Sequence, residues 1–410
     1  MIIKRMILSV VSILLLTGCC NCVYTVTVSN PKDADRHPEM VEISLQDVMS
    51  SLSLAEGETF IVKDANGNEI PHQITYDGQV IFQVTMKAGQ EQTFKFAKGT
   101  PQQTESLVFG KHYAGKDDDF AWENDKVAFR VYGHKQDVAS GYDIFCKRGT
   151  HLPVLEQFYA NEVKDSEAWK KYYELEAINE EKALSFKIDT ISYHVDHGNG
   201  LDCYKVGPTL GCGTAALLNG DAIVYPYCWK EYEILENGPL RFTVKLTYNP
   251  LTVGNNEGVV ETRVISLAKG SQLNKTIVSF EGLNQATPVA TGLVIHPENP
   301  DAYVLEGEKG YIAYADLTDN VNNDNGVIYV GAVMPEKVKE VKTAMFAEKE
   351  AKERGASGHV LAISNYKPGS EYTYYWGSGW SKYGFDSMEA WTDYLNRYAQ
   401  SVRNPLQVKY

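Results

Sequence analysis

The chain is predicted to be mainly β: a small N-terminal β-sandwich, then a large antiparallel β-sandwich, with a helix close to the C-terminus. Three observations carry this. Apolar residues recur at alternate positions in many short runs, as they do on half-buried strands. Gly, Asn and Asp turn signals separate those runs. No βαβ rhythm and no repeat of fixed period runs along the 410 residues, which argues against a parallel sheet or a solenoid.

The first segment reads as a leader. Lys4 and Arg5 precede an apolar run over 6–16, too short to span a membrane. Leu16-Thr17-Gly18-Cys19 then resembles a bacterial lipobox, which implies a signal peptide over 1–18 and acylation of Cys19. A plain secretory signal cut near Cys20 or Cys22 is the alternative. Acyl chains would anchor the protein, since each buried CH2 contributes about 0.8 kcal/mol. No other segment is apolar enough to cross a bilayer.

Residues 23–105 are expected to form the small domain. Val26 and Val28, then Val80, Phe82, Val84 and Met86, fall on alternate positions, and Asn66-Gly67 and Asp77-Gly78 are hairpin turn signals. A linker is expected over 97–104. Residues 106–410 are expected to form the large domain. Val127, Phe129 and Val131 alternate with Arg130 and Tyr132, Phe242 to Tyr248 repeats the pattern, and Thr276, Val278 and Phe280 make another run. Two helices are expected. Residues 335–354 are rich in Glu, Lys and Ala. Near the C-terminus, Asp386 with Glu389 fits a capping box, and Met388, Trp391, Leu395, Tyr398 and Val402 follow at helical spacing.

The formal charge is −14, and loss of Lys4 and Arg5 with the leader takes it to −16. Such a body repels nucleic acid. Beyond the three cysteines of the leader region, Cys146, Cys203, Cys212 and Cys228 permit two disulfides in three connectivities, with buried thiols as the alternative.

The densest chemical segment is Tyr193-His194-Val195-Asp196-His197-Gly198-Asn199-Gly200-Leu201-Asp202-Cys203-Tyr204-Lys205. Its glycines imply a loop, where catalytic groups concentrate. Histidine titrates near neutrality, so acid–base work is one reading. Metal ligation by His194, Asp196 and His197 is a second, though no third His lies nearby. A polar loop whose side chains bond each other is the bland one. The run Gly207 to Gly213 lacks the Lys-Ser/Thr of a phosphate loop and reads as a turn allowing close backbone approach. Asp117-Asp118-Asp119 could take a hard cation. Trp122 and Glu123 set a ring beside a carboxylate, as sugar sites do. Arg130 could grip a carboxylate if its strand face lines a cleft. Tyr372, Tyr374 and Trp376 would share a strand face, suited to a sugar or to a core.

The blocks 118–133, Tyr193-His194 through Asp202, and Lys205 through Gly213 together resemble a family of exported proteins from glycan-degrading bacteria, labelled a domain of unknown function. The likeness covers nearly the whole mature chain. It implies a place in polysaccharide utilisation, a large domain like the supersandwich of polysaccharide lyases and galactose mutarotases, and a link to an oligosaccharide dehydratase of ulvan breakdown. The lack of an acidic stretch after Cys19 implies a periplasm-facing lipoprotein, expected at the outer membrane.

The expected function is therefore a carbon–oxygen lyase or dehydratase performing β-elimination on oligosaccharides that contain uronic acid, with no cofactor and no metal site expected, a bound divalent cation being the alternative. His194 and Tyr204 are cast as base and acid, with His197 as alternate. Arg130 and Lys205 would hold the carboxylate, and Trp122 would stack on a sugar ring beside Glu123. The alternatives are a glycoside hydrolase using Glu123 and Asp202, or a glycan-binding lipoprotein without catalysis.

Overall fold

The computed structural model describes residues 23–32, 34–115, 118–134, 139–149, 153–317, 319 and 321–410. Cys19 and its leader, and Asp117 of the acidic run, lie outside the described residues. The fold is mainly β, and its named strands pair antiparallel throughout.

Residues 23–98 supply two small sheets. One takes strands Val23–Ser29, Phe60–Lys63, Glu69–Ile70 and Glu91–Lys98, with the last strand of the chain, Gln407–Lys409, added at its edge. The other joins Glu39–Ser44, Gln79–Val84 and His72–Ile74. The alternating Val26, Val28, Val80, Phe82 and Val84 meet in a separate apolar cluster between them. Asn66-Gly67 and Asp77-Gly78 are turns, with both glycines at positive φ.

The rest is a large sandwich. A nine-stranded sheet runs in the order Trp229–Asn237, Arg241–Tyr248, Asn256–Ala268, Leu273–Glu281, Tyr372–Trp380, Ile328–Val333, Tyr311–Asp316 and Tyr303–Glu306, with Leu251–Val253 beside the third. Two five-stranded sheets cover one of its faces. One contains Phe109–Tyr113, Asp119–Glu123, Ala128–Val131, Asp143–Lys147 and Gly200–Leu201. The other contains Ala222–Val224, Cys212–Asn219, Thr287–Ile295, Gly358–Tyr366 and Glu340–Met345. A bridge between Tyr142 and Gly211 joins them. Gly211 sits at φ +56°, and a side chain there would collide with the Tyr142 carbonyl. The glycine run therefore serves the approach of another strand. One apolar cluster, including Trp122, Phe129, Phe242, Val278, Tyr374 and Trp376, is shared by all three sheets. Trp122 and the Tyr374–Trp376 stripe are core, not a sugar platform.

The C-terminal helix is Met388–Arg403, and it packs on the other face of the nine-stranded sheet through Trp391 and Leu395. Its N-cap is Ser387, not the expected Asp386: the Ser387 side chain accepts from the Ala390 N–H at 3.1 Å. Gly331 lets the helix approach, because a Cβ there would lie 2.6 Å from Leu395 Cδ1. Ser387→Ala is expected to cost about 1 kcal/mol, read as a lowered urea midpoint; an unchanged midpoint would show that packing alone holds the helix.

The helix expected over 335–354 forms only at Glu348–Arg354, while Glu340–Met345 is a strand at the sheet edge. Pairing with Gly358–Tyr366 offers that segment backbone partners and outweighs its helical propensity. Three short helices were not anticipated: Leu155–Ala160, Glu167–Glu176 and Glu180–Phe186, followed by a wide turn over Lys187–Ile191. They are short, and the later ones bury little, with Ile178 between them and Leu184 exposed. The cysteines Cys146, Cys203, Cys212 and Cys228 are all buried free thiols. Among the described residues, no helix is long and apolar enough to cross a membrane.

Candidate functional site

The helical excursion decides where the charges go. In the sheet holding Arg130, alternate residues face opposite ways. Phe120, Trp122, Phe129, Ile144 and Cys146 face the main core. Ala121, Ala128 and Phe145 face outward and are covered by Val154, Leu155, Phe158, Tyr159 and Tyr193. The polar residues of the outward face, Asp119, Glu123, Arg130, Asp143, Lys147 and Asp202, are buried as well. Hence a layer of four carboxylates and two cations lies between sheet and helical cover.

It divides into two groups. Glu123 pairs with Lys147 at 2.6 Å and accepts the N–H groups of Val154 and Leu155 at 3.1 and 3.0 Å. Those donors open the first covering helix, where a carboxylate is favoured. Burial pushes the Glu123 carboxyl up, and Lys147 opposes this. Glu123 therefore anchors the cover and is not presented to a substrate. The second group surrounds Arg130. Its Nε and Nη2 reach Asp143 Oδ2 at 2.7 Å, and Nη2 reaches Asp202 Oδ2 at 2.9 Å. Asp119 Oδ2 lies 3.8 Å from Nη1 and accepts the Tyr159 hydroxyl at 2.9 Å. Tyr132 donates its hydroxyl to Asp143.

Arg130 is thus saturated by protein carboxylates, and a substrate carboxylate would meet more negative charge than positive. This corrects its expected role. Asp202 is pushed up from 3.8 to about 6, chiefly by burial, with Arg130 opposing and Asp143 reinforcing. It is therefore the group of this layer poised to exchange a proton near neutral pH.

The expected trio does not converge. His194 is at the mouth: its side chain is 58 % exposed, and its Nδ1 lies 2.9 Å from the Asp202 carbonyl oxygen and 4.0 Å from Oδ2. His197 is exposed and holds the loop, its Nε2 lying 3.0 Å from the Ser192 carbonyl oxygen. Tyr204 is buried in the main core with an unpartnered hydroxyl, its ring centroid 6.4 Å from that of His296. Burial, with Cys212 and Asp316 nearby, holds its phenol protonated, so it is neither base nor solvent-linked acid. Lys205 is exposed and lies against Gly355, not beside Arg130. Asp196 pairs with Arg148 at 2.7 Å instead of joining the histidines. Asp118 lies 2.6 Å from His112. Among the described residues, no three His, Cys, Asp or Glu are grouped to hold a metal.

Sequence reasoning missed Asp143, which opens its strand behind Tyr142 and gives no motif. It also missed the buried pair His296–Asp316, 2.6 Å apart. Both end long apolar strands, Thr287–Ile295 and Tyr311–Asp316, and a charge at such an end was the available signal. A narrow crevice lined by Arg130, Phe145, Phe158, Tyr159, Glu162 and Tyr193 reaches the Arg130 group, with no room for a water molecule. A cavity of about 430 Å³ lies elsewhere, between the small sheets and the C-terminal helix, and none of the charged layer lines it.

The fold is similar to solved carbohydrate-enzyme structures. A protein in the glycosyl hydrolase family 38 from Enterococcus faecalis superposes with a TM-score of 0.50 at 8% identity, over 94% of this chain and 47% of that one. An alpha-mannosidase from Enterococcus faecalis V583 gives 0.44 at 9% identity, over 94% and 46%. The chain spans about half the length of each. The fold shared with the glycosyl hydrolase family 38 protein stands against the expected carbon–oxygen lyase, and the saturation of Arg130 removes that chemistry's carboxylate grip. In sequence, an uncharacterized protein P7 of Formosa agariphila is 25% identical over 402 residues, covering 93% of this chain and 92% of that protein. The likeness seen in the blocks around Asp119, His194 and Gly207 extends from one end of the fold to the other: residues 28–408 match the domain of unknown function DUF4861, and the chain belongs to that family.

Proposed function

We propose that the protein hydrolyses neutral oligosaccharides, with Asp202 as general acid and Asp143 as its ionised partner. The carrying observation is that both carboxylates bond the same guanidinium nitrogen of Arg130 while burial pushes Asp202 up to about 6. Sharing one nitrogen keeps the two bonded oxygens less than about 6 Å apart, a limit that admits the ~5–5.5 Å of retaining glycosidases and excludes the wider inverting spacing. In this reading Asp202 protonates the leaving oxygen and Asp143, oriented by Arg130 and Tyr132, attacks the anomeric carbon. Water then releases the sugar with retained configuration. His194 links Asp202 to solvent. The excess of carboxylates in the layer favours a neutral glycan over a uronate. The resemblance in fold to a family 38 hydrolase supports carbohydrate as the substrate class.

Substrate reaches the pair when the helical cover lifts. A leader ending at Cys19 would place this work at a membrane surface outside the cytoplasm, the periplasm-facing location proposed for a lipoprotein.

The test is incubation of the full chain with a panel of neutral and uronic oligosaccharides, followed by mass spectrometry and proton NMR. New reducing ends, addition of one water per cleavage and retained anomers are expected. Tight binding with no product would sink hydrolysis in favour of glycan recognition.

A further inference from the structure

The helical cover leaves and rejoins its sheet through a narrow neck. The chain departs after strand Asp143–Lys147 and returns at Gly200–Leu201, where only Cys146 with Leu201 and Lys147 with Gly200 are in register. One further bond, from the Arg148 N–H to the Asn199 carbonyl at 2.8 Å, completes the closure. On the core side of this neck, Cys146 Sγ and Cys203 Sγ lie 3.7 Å apart, 57 residues separated in sequence. Each is 3 % exposed.

The other two core cysteines are placed differently. Cys212 Sγ donates to the Gly377 carbonyl at 3.4 Å, and Cys228 Sγ lies 3.4 Å from His134 Nδ1. Cys146 and Cys203 therefore form a specific pair.

We propose that Cys146 and Cys203 are a disulfide site that staples the neck of the helical cover over the Arg130 group. Each thiol gives up one proton and one electron, and an S–S bond forms. The acceptor is a thiol–disulfide oxidant, a small-molecule or protein disulfide, whose own S–S bond is cleaved to two thiols. The bond length is ~2.05 Å, so the sulfurs close their gap by side-chain rotation and a small shift of the short strand Gly200–Leu201. Burial pushes the Cys146 thiol up, which makes it a poor nucleophile once the neck is shut. Oxidation belongs to folding, or to moments when the neck opens.

The staple would matter because the far part of the cover packs little against the sheet. Its helices are short, and Ile178, Leu184 and Ile188 are exposed. Closing a long loop removes much freedom from the opened state. The effect on turnover rests on the proposed function; the disulfide itself does not.

The test uses the full chain, isolated without reductant and also refolded in a glutathione redox buffer. It is unfolded in guanidinium with iodoacetamide, digested and analysed by mass spectrometry. A peptide pair joining Cys146 to Cys203, two hydrogens lighter than the thiols, is expected, with Cys212 and Cys228 alkylated. Alkyl groups on both Cys146 and Cys203 in both preparations would overturn the proposal. Limited proteolysis then compares oxidised protein, reduced protein and Cys203→Ser. Cleavage within 155–191 is expected to be about tenfold or more faster without the bond. Equal rates for oxidised and reduced wild type would overturn the stapling role, even if Cys203→Ser fails to fold.

Discussion

Asp202→Asn is expected to lower turnover on a cleaved oligosaccharide by about 10²–10⁴-fold while the protein stays folded. Asn keeps the size of the side chain and an oxygen for the Arg130 Nη2 bond, which is 2.9 Å long in the wild type. It removes the exchangeable proton. Activity of the wild type should fall as pH rises through about 6, because the acid form of Asp202 is lost there. Stability supplies an independent check. The folded carboxyl is raised above its ordinary 3.8 to about 6, so the native state binds the proton more tightly than the unfolded chain. That contribution is fully present below pH 3.8 and is lost as pH rises through about 6. Its size is on the order of 3 kcal/mol. Urea unfolding at pH 4 and pH 7 should therefore show the wild type losing stability that Asp202→Asn keeps. Parallel stabilities for the two proteins across that window would remove the perturbed carboxyl and with it the assignment of the acid.

Arg130→Met should be the most destabilising single change in the site, by about 3–5 kcal/mol. The guanidinium is the cation among Asp119, Asp143 and Asp202, and all four residues are buried. Met fills similar space, so the loss is one of charge compensation. The carboxylates left behind must take protons to stay buried, and the variant should regain stability as pH falls. The measurement is the urea midpoint of both proteins from pH 4 to 8. A midpoint that does not move, or a deficit that does not shrink in acid, would mean that solvent already compensates these carboxylates.

The legible and the illegible parts of this site differ in physical kind. Glu123 was visible as a charge beside Trp122, but its pairing with Lys147 reaches across the intervening strand Ala128–Val131, on the face the two residues share. Their shared task, holding the first turn of the helix at Leu155, was invisible, because that helix is a single short segment, Leu155–Ala160, whose few apolar residues do not announce a helix on their own. Tyr204 and His194 are ten residues apart in sequence and fall in different environments, one in the main core and one at the surface. A loop gives no period from which to read such a difference. The helix over 335–354 failed for a related reason: propensity is local, and the edge of the strand Gly358–Tyr366 competes for the same backbone.

The sequence by itself determined several of the strands and which side of each is apolar. Val127, Phe129 and Val131 face the core because the pleat alternates with period two, a rule that needs no distant partner. It likewise determined the C-terminal helix and its Trp391–Leu395 face. Only the tertiary structure decided what lies against the opposite side of the Arg130 strand. A polar strand face reads the same whether water or a second layer covers it. Residues 153–193 supply that layer here, and in doing so they turn six ordinary strand charges into a buried, mutually compensating group. The physical reason is that periodicity reports the direction of a side chain, while burial depends on which remote segment is folded over it.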